Sequence, residues 1–403
     1  MLERSLYKRL EELYPEIVKL RRSLHQNPEL SFQEKQTPEF ISNYLEKLGI
    51  EVKRNVGGRG VLGYIKGSQK GKTVALRADF DALPIQEETG VEYASKNHGV
   101  MHACGHDGHT ATLLALAKAL VEQKEKLPGN IVLVHQFAEE CAPGGAISMI
   151  EDGCLKGVDV IYGVHLWATL PYGEIGYCHG PAMAAADKFE IIITGKGGHA
   201  ASPHQTVDSV LVASNVVVLL QNLVSRNINP LESAVVTIGA FNAGSAFNII
   251  ADKATLIGTV RTFNPAVQDF IIEKMESIIK GVCDGAGATY IFKYERGYPA
   301  LINHPLETER FANAAKGFMG NENVKTMAPV MGGEDFAYYL QKVPGAFVFI
   351  GAGNAAEGIT YPHHHPKFNI DERSMLIAAK ALASASCSYL EEAGQLTHND
   401  RPA

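Results

Sequence analysis

From Lys188 to Tyr294 the chain reads KFEIIITG (Lys188–Gly195), a helical stretch from about Val207 to Val224, then AVVTIGAF (Ala234–Phe241) and ATLIGTVRTF (Ala254–Phe263). A second helical stretch from Val267 to Cys283 follows, and the segment ends on ATYIFKY (Ala288–Tyr294). The β-branched runs with period-two alternation predict strands, and the apolar residues at three- and four-residue steps predict helices. The order β-α-β-β-α-β is the split βαβ, ferredoxin-like pattern, which closes on itself in little more than about a hundred residues. The competing reading makes this segment a continuation of a larger sheet.

The flanks have a different texture. VLGYIKG (Val61–Gly67), KTVALRAD (Lys72–Asp79), IVLVHQF (Ile131–Phe137), DVIYGVHL (Asp159–Leu166) and AFVFIG (Ala346–Gly351) are near-continuous apolar runs. Strands of that kind are buried on both faces. Helical periodicity separates them: Leu6, Leu10, Leu13, Ile17, Leu20 and Leu24 mark the first helix, and further helices are predicted at about Pro38–Leu48, Thr110–Val121, Pro305–Phe318, Asp335–Lys342 and Glu372–Glu392. The expected fold is therefore α/β: a large mixed-sheet catalytic domain covered by helices, with a smaller α+β ferredoxin-like domain inserted into it. The boundaries predicted are 1–185 and 299–392 for the discontinuous large domain, 186–298 for the insert and 393–403 for a polar tail. Insertion at such a point is tolerated when the insert's ends lie close together.

Composition narrows the function. With 403 residues, 46% hydrophobic, and 37 basic against 44 acidic side chains, the net charge is −7. That argues against a nucleic-acid partner, which needs a basic surface. The first residues are charged throughout and carry no apolar signal core. The most apolar run, from Ser209, is too short and too interrupted for a membrane span. Six cysteines with no CxxC pair indicate a reducing, cytoplasmic setting. The unusual feature is the 15 histidines, seven of them in two clusters, His98–His109 and His363–His365.

MHACGHDGHTAT holds Cys104 and His106 two residues apart, and thiolate with imidazole favours zinc and other late first-row ions. Two strand ends add donors: IVLVHQFAEE finishes on Glu139 and Glu140, and DVIYGVHLW delivers His165. Adjacent carboxylates are costly to bury together unless a cation or a shared proton compensates. One can ligate while the other serves as a base, the division of labour of a metal hydrolase. PHHHPKF (Pro362–Phe368) gives one more imidazole in a loop stiffened by two prolines. No HExxH helix is present, which removes the thermolysin-like layout, and no GxGxxG leading from a strand into a helix, no GxxxxGKS/T loop and no GxSxG elbow gives nucleotide cofactors or a serine nucleophile support.

These stretches, with LHQNPELSFQE (Leu24–Glu34), ALRADFDALP (Ala75–Pro84), GKGGHAASPH (Gly195–His204), GTVRTF (Gly258–Phe263) and MGGEDFAYY (Met331–Tyr339), resemble one superfamily in order and spacing. It is the metal-dependent amidohydrolases of the aminoacylase and carboxypeptidase-like kind, in the branch of hippurate hydrolase, N-acetyl-diaminopimelate deacetylase and auxin-conjugate hydrolases. The resemblance covers the chain to about Glu392. It implies two divalent ions per subunit (manganese, zinc, nickel or cobalt), ligated by Cys104, His106, Glu140, His165 and His364, with Glu139 as the base that activates a metal-bound water. It also implies a dimer formed through the inserted domain. Two departures stand out. The His-x-Asp that opens the site in many relatives is here Asp79-Phe80-Asp81, and the closing His-Ser-Pro is His364-His365-Pro366, which leaves His363 and His365 as rivals for the ligand.

The expected reaction is hydrolysis of N-acyl-L-amino acids carrying N-acetyl, N-benzoyl or similar groups. His199 is the candidate donor to the developing oxyanion. Arg261 and Asn248 would take a substrate carboxylate, and His109 would orient Glu140 or Asp107. Gly332, Gly333 and Glu334 would shape the pocket floor. A dipeptidase or aminopeptidase-like enzyme is the neighbouring alternative, and a catalytically silent metal-binding scaffold is the alternative of another class.

Overall fold

The computed structural model describes residues 2–69 and 71–399. The chain forms two compact units, one built from residues 1–182, 302–328 and 335–403, the other from 183–301 and 329–334. The division thus falls a few residues outside the expected 185 and 299, and a short second segment, 329–334, joins the smaller unit.

The larger unit is organised on an eight-stranded mixed sheet in the order Glu51–Val56, Gly60–Lys66, Asn130–Gln136, Thr73–Asp79, Val160–Pro171, Gly345–Gly353, Ile175–Tyr177, Val324–Thr326. Thr73–Asp79 runs parallel to both Asn130–Gln136 and Val160–Pro171, and Gly345–Gly353 runs parallel to Val160–Pro171. Gly345–Gly353 is buried along its whole length, and Thr73–Asp79 and Asn130–Gln136 are buried except at their first residues. That follows from their unbroken apolar sequence and matches strands covered on both faces. Register fixes the site: Asp79 lies opposite Gln136, and Arg77 opposite Gly163, so Asp79 and Glu139–Glu140 at the carboxyl ends of two strands come level with His165, which stands mid-strand in Val160–Pro171 rather than at a strand end as expected. Ligand sites in open α/β sheets form at such ends.

The helix Leu2–His25 buries Leu6, Leu10, Leu13, Ile17, Leu20 and Leu24, the stripe its periodicity predicts, and packs on the helices His106–Val121 and Ser374–Asn399. The last helix runs past Glu392, so residues 393–399 of the expected tail are helical; 400–403 lie outside the described residues. The helix expected from Thr110 starts four residues earlier at His106, because Gly105 adopts φ 94° and lets the chain turn into it. The helix expected over Asp335–Lys342 shrinks to the single turn Ala337–Leu340.

The smaller unit is a four-stranded antiparallel sheet in the order Ala234–Ala243, Lys253–Thr262, Ala185–Thr194, Thr289–Tyr298. In chain order that is 2-3-1-4, the ferredoxin-like arrangement. Ala185–Thr194 alternates buried and open residues along most of its length, so the helices cover one face only. Pro265–Ala286 inserts Gln268, Ile271, Met275, Ile279 and Cys283 against that face, and Ser209–Asn222 inserts Val212, Ala213, Val216 and Leu220. Asp208 caps the latter helix by accepting from Val210 and Leu211 N–H, and Asn264 with Pro265 starts the former. Through a π turn the apolar segment extends from Ser209 to Asn227, 19 residues, which corrects the expectation that it is too short to cross a membrane by length and composition. Its inward side chains nevertheless belong to the core of this unit.

Candidate metal centre

The imidazoles of His106 and His165 are each held by one nitrogen and present the other. His106 Nδ1 lies 3.0 Å from the Asp81 main-chain oxygen and 3.2 Å from Asp81 Oδ1, while its Nε2 is buried and makes no hydrogen bond. His165 Nδ1 is 3.0 Å from the Leu166 carbonyl, and its Nε2 faces Cys104 Sγ at 3.5 Å. Glu140 Oε1, also buried without a hydrogen bond, lies 3.8 Å from His106 Nε2 and 3.3 Å from His364 Nε2. Cys104, His106 and His165 could hold one ion between donors no more than 4.8 Å apart, and Cys104, Glu140 and His364 satisfy the same limit. Cys104 belongs to both groups. Glu139 lies within that reach of His106 and Glu140. Anchored, oriented imidazoles of this sort are what metal ligands need.

Of the three consecutive histidines, the middle one, His364, falls in a donor group. His363 Nε2 is 3.1 Å from the Leu166 carbonyl, with its ring against Trp167. His365 stacks on Tyr361 and accepts from the Lys367 N–H. His364 takes φ 64°, tied through its N–H to the Ala103 carbonyl, and that turn brings its Nε2 to Glu140.

Electrostatics fit a cation. Burial and the neighbouring Glu140, Glu139 and Asp79 push the Cys104 thiol well above its ordinary range. Burial opposes a charged His106, but the carboxylates of Asp79, Asp81 and Glu140 outweigh it and raise the imidazole to about 10. Buried carboxylates thus hold protons on a thiol and an imidazole, and a divalent ion is the charge that would replace those protons. The residues present fit such an ion.

Sequence reasoning missed two carboxylates. Asp79 accepts from His109 Nδ1 at 2.6 Å and from Arg77 Nη1 at 2.6 Å. Burial alone would raise Asp79, yet His106, Arg77 and His109 hold it well below the usual carboxylate range. Asp81 grips His106 as described. Their signal was two acids, two apart, ending a buried strand. His109 does not orient Glu140 or Asp107, as expected: its Nδ1 meets Asp79, and its Nε2 accepts from Leu166 N–H at 2.9 Å. Asp107 turns away to Arg21 and His25, at 3.1 and 2.8 Å. His102 is buried and His98 exposed, and neither joins the donor groups.

The remaining candidates lie in the smaller unit. His199 Nδ1 accepts from Ala201 N–H at 3.0 Å, which leaves the proton of the neutral ring on Nε2. His199 pairs with Ile249, and Ala200 N–H donates to the Asn248 carbonyl, so His199 and Asn248 are neighbours. Arg261 stands on Lys253–Thr262, half-buried, beside Gly333: a Cβ at Gly333 would sit 3.3 Å from Arg261 Nη1. Gly332 meets Met183, also in this unit.

The pattern of peptidase family M20/M25/M40 matches residues 75–387. The chain is 54% identical over 388 residues to "Putative amidohydrolase YhaA" of Bacillus subtilis (strain 168), covering 96% of this chain and 98% of that one. It is 41% identical over 382 residues to the N-acetyl-L-cysteine deacetylase of the same organism, covering 95% and 90%. Among solved structures, the YXEP protein of Bacillus subtilis, titled a dinuclear metal binding peptidase from the M20 family, superposes with TM-score 0.81 at 37% identity, covering 94% and 99%.

Proposed function

We propose that this chain, which belongs to peptidase family M20/M25/M40, hydrolyses the amide bond of N-acyl amino acids using two divalent ions held by Cys104, His106, Glu140, His165 and His364. The observation that carries the reading is the cluster of donors around Cys104, in which His106 Nε2 and Glu140 Oε1 are buried without a hydrogen bond, with a second carboxylate, Glu139, in reach. Relatives named as an amidohydrolase and an N-acetyl-L-cysteine deacetylase support the reaction class, and the dinuclear centre named for the YXEP protein supports the ion count.

Bound divalent ions supply Lewis acidity, which polarises the scissile carbonyl and makes water a nucleophile near neutral pH. Glu139 takes the proton of the attacking water and returns it to the departing amine, so that an otherwise poor leaving group departs neutral. His199, with its proton on Nε2, donates to the oxygen on which negative charge develops. Arg261 and Asn248 receive the free carboxylate of the amino-acid part, the guanidinium through paired N–H donors. N-acetyl and N-benzoyl amino acids are the substrates proposed, with manganese, zinc, nickel or cobalt as the ion and the cytoplasm as the setting. The smaller unit provides the dimer contact. Its helix Ser209–Asn222 leaves Val210, Leu211, Val218 and Leu219 exposed, an apolar face suited to a second copy.

The test is Glu139→Gln alongside chelation and metal replacement in the native enzyme, assayed on a panel of N-acetyl, N-benzoyl and dipeptide substrates. Chelation should abolish hydrolysis, with one or more of the four metals restoring it. Glu139→Gln should keep its metal content and lose about two to four orders of magnitude in turnover. Near-normal turnover of that variant, or full activity of the metal-free protein, would overturn the assignment.

A further inference from the structure

The chain reverses immediately before the two glutamates of the site. Strand Asn130–Gln136 ends, and two residues later Ala138 takes φ 51°, a left-handed conformation that an L residue with a side chain rarely adopts. Such a turn persists only where its surroundings enforce it. Two buried carboxylates do so, one on each side of Glu139. Glu34 Oε1 accepts from the Ala138 N–H at 2.9 Å, and Asp81 Oδ2 accepts from the Glu140 N–H at 3.0 Å. Asp81 also meets His106, which ties the second of these bonds to the metal cluster. Glu34 meets none of the donor atoms of that cluster. It is wholly buried, and its hydrogen bond to this turn goes to the backbone.

The segment that delivers Glu34 is itself fastened to the same strand ends. Ala82 N–H donates to the Glu29 carbonyl at 2.8 Å, and Leu30 bridges Ala82. Ser31 Oγ donates to Asp81 Oδ2 at 2.6 Å. Phe32 takes φ 63° and sets its ring edge-on to Phe137, with centroids 5.9 Å apart. Arg59 donates to the Glu34 main-chain oxygen, and its Nε lies 3.8 Å from Glu34 Oε2. A buried carboxylate is expensive unless it is used. Here it holds the one backbone N–H whose position sets where Glu139 begins.

We infer that Glu34 is a positioning residue for Glu139: by holding the Ala138 N–H it fixes the left-handed reversal that presents Glu139 to the reaction. The inference rests on the reading of Glu139 as the base. Catalysis is sensitive to misplacement of this size, since a general base must sit within hydrogen-bond reach of the proton it removes. Substrate affinity, in contrast, does not depend on that placement, so the effect falls on kcat rather than KM.

The experiment uses the metal-loaded full-length enzyme and compares Glu34→Met, Glu34→Gln, Ala138→Gly and the double variant Glu34→Met/Ala138→Gly, with Glu139→Gln as control. Glu34→Met keeps the side-chain length but offers no oxygen to the Ala138 N–H; kcat should fall about 10- to 100-fold with KM within about twofold and metal content unchanged. Glu34→Gln keeps an acceptor oxygen and should stay within about threefold of the native kcat. Glycine adopts positive φ freely, so Ala138→Gly should recover several-fold of the kcat lost in Glu34→Met. Should Glu34→Met not fold, Glu34→Asp withdraws the carboxylate by one methylene and should show the same kcat loss. A kcat within about twofold of native in Glu34→Met or Glu34→Asp, or equal damage in Glu34→Gln and Glu34→Met, or no recovery by Ala138→Gly, would overturn the inference. If Glu139→Gln is inactive while the Glu34 variants are unimpaired, only the positioning role fails; if Glu139→Gln is active, the base assignment fails first.

Discussion

His135→Leu should make the larger unit less sensitive to acid. His135 lies on Asn130–Gln136, is wholly buried, and neither ring nitrogen has a protein partner. Burial alone pushes its pKa down to about 3, against an ordinary value of 6.5. The unfolded chain therefore binds a proton on this ring between about pH 6.5 and 3 that the folded chain does not. Where the unfolded state holds more protons, stability rises with pH, so the protein loses stability as pH falls below about 6.5, and the loss levels off near pH 3. At about 1.36 kcal/mol per pH unit, the step from pH 7 to pH 5 costs about 2 kcal/mol through this one residue. Leucine does not titrate and removes that contribution. Urea denaturation of chelated protein at the two pH values, followed by the fluorescence of Trp167, the single tryptophan, reads the same unit. The variant should lose about 2 kcal/mol less than the native chain between pH 7 and 5. Equal losses in the two proteins, within about 0.5 kcal/mol, would refute the idea that His135 is buried uncharged.

Arg261→Ala should raise KM about 10- to 100-fold for substrates with a free carboxylate, the usual worth of a charge-assisted hydrogen bond, and leave an esterified analogue unaffected. Equal effects on acid and ester would remove Arg261 from carboxylate recognition. Gly258→Ala should destabilise the smaller unit by about 1–3 kcal/mol, because the new methyl would sit 2.2 Å from both the Phe189 ring and the Thr237 carbonyl. Limited proteolysis followed by mapping of the cut sites would show this as earlier cleavage within residues 183–301; an unchanged cleavage rate would mean that the sheet yields there at little cost.

What could be read in the sequence was what local chemistry writes down. The Ser209–Asn222 and Pro265–Ala286 helices carry their own caps, and the alternation of KFEIIITG states which face is covered, so the ferredoxin-like order followed. The soft pair Cys104/His106 announces its chemistry within three residues. What stayed hidden depends on partners distant in sequence. Nothing near His109 shows that Asp79, 30 residues earlier, accepts its Nδ1–H hydrogen bond, or that Glu34 meets Ala138 across 104 residues. The choice of His364 over its neighbours needed its left-handed φ and the Ala103 carbonyl, neither of which alternation or composition encodes. Short strands such as Ile175–Tyr177 and Val324–Thr326 escaped because three residues carry no period.

The interleaving of the two units sets an order of events during synthesis. Cys104, His106, Glu140 and His165 all precede the smaller unit in the chain, whereas His364 follows it, as does Asp335, which receives the Arg77 guanidinium and the Ala146 N–H. A nascent chain emerging from the ribosome thus exposes four of the five donors while 183–301 is still being made. The central strand Gly345–Gly353, without which Val160–Pro171 lacks a neighbour on one side, arrives later still. The proposed donor set is therefore complete only once Gly345–Gly353 has joined the sheet and His364 has been made.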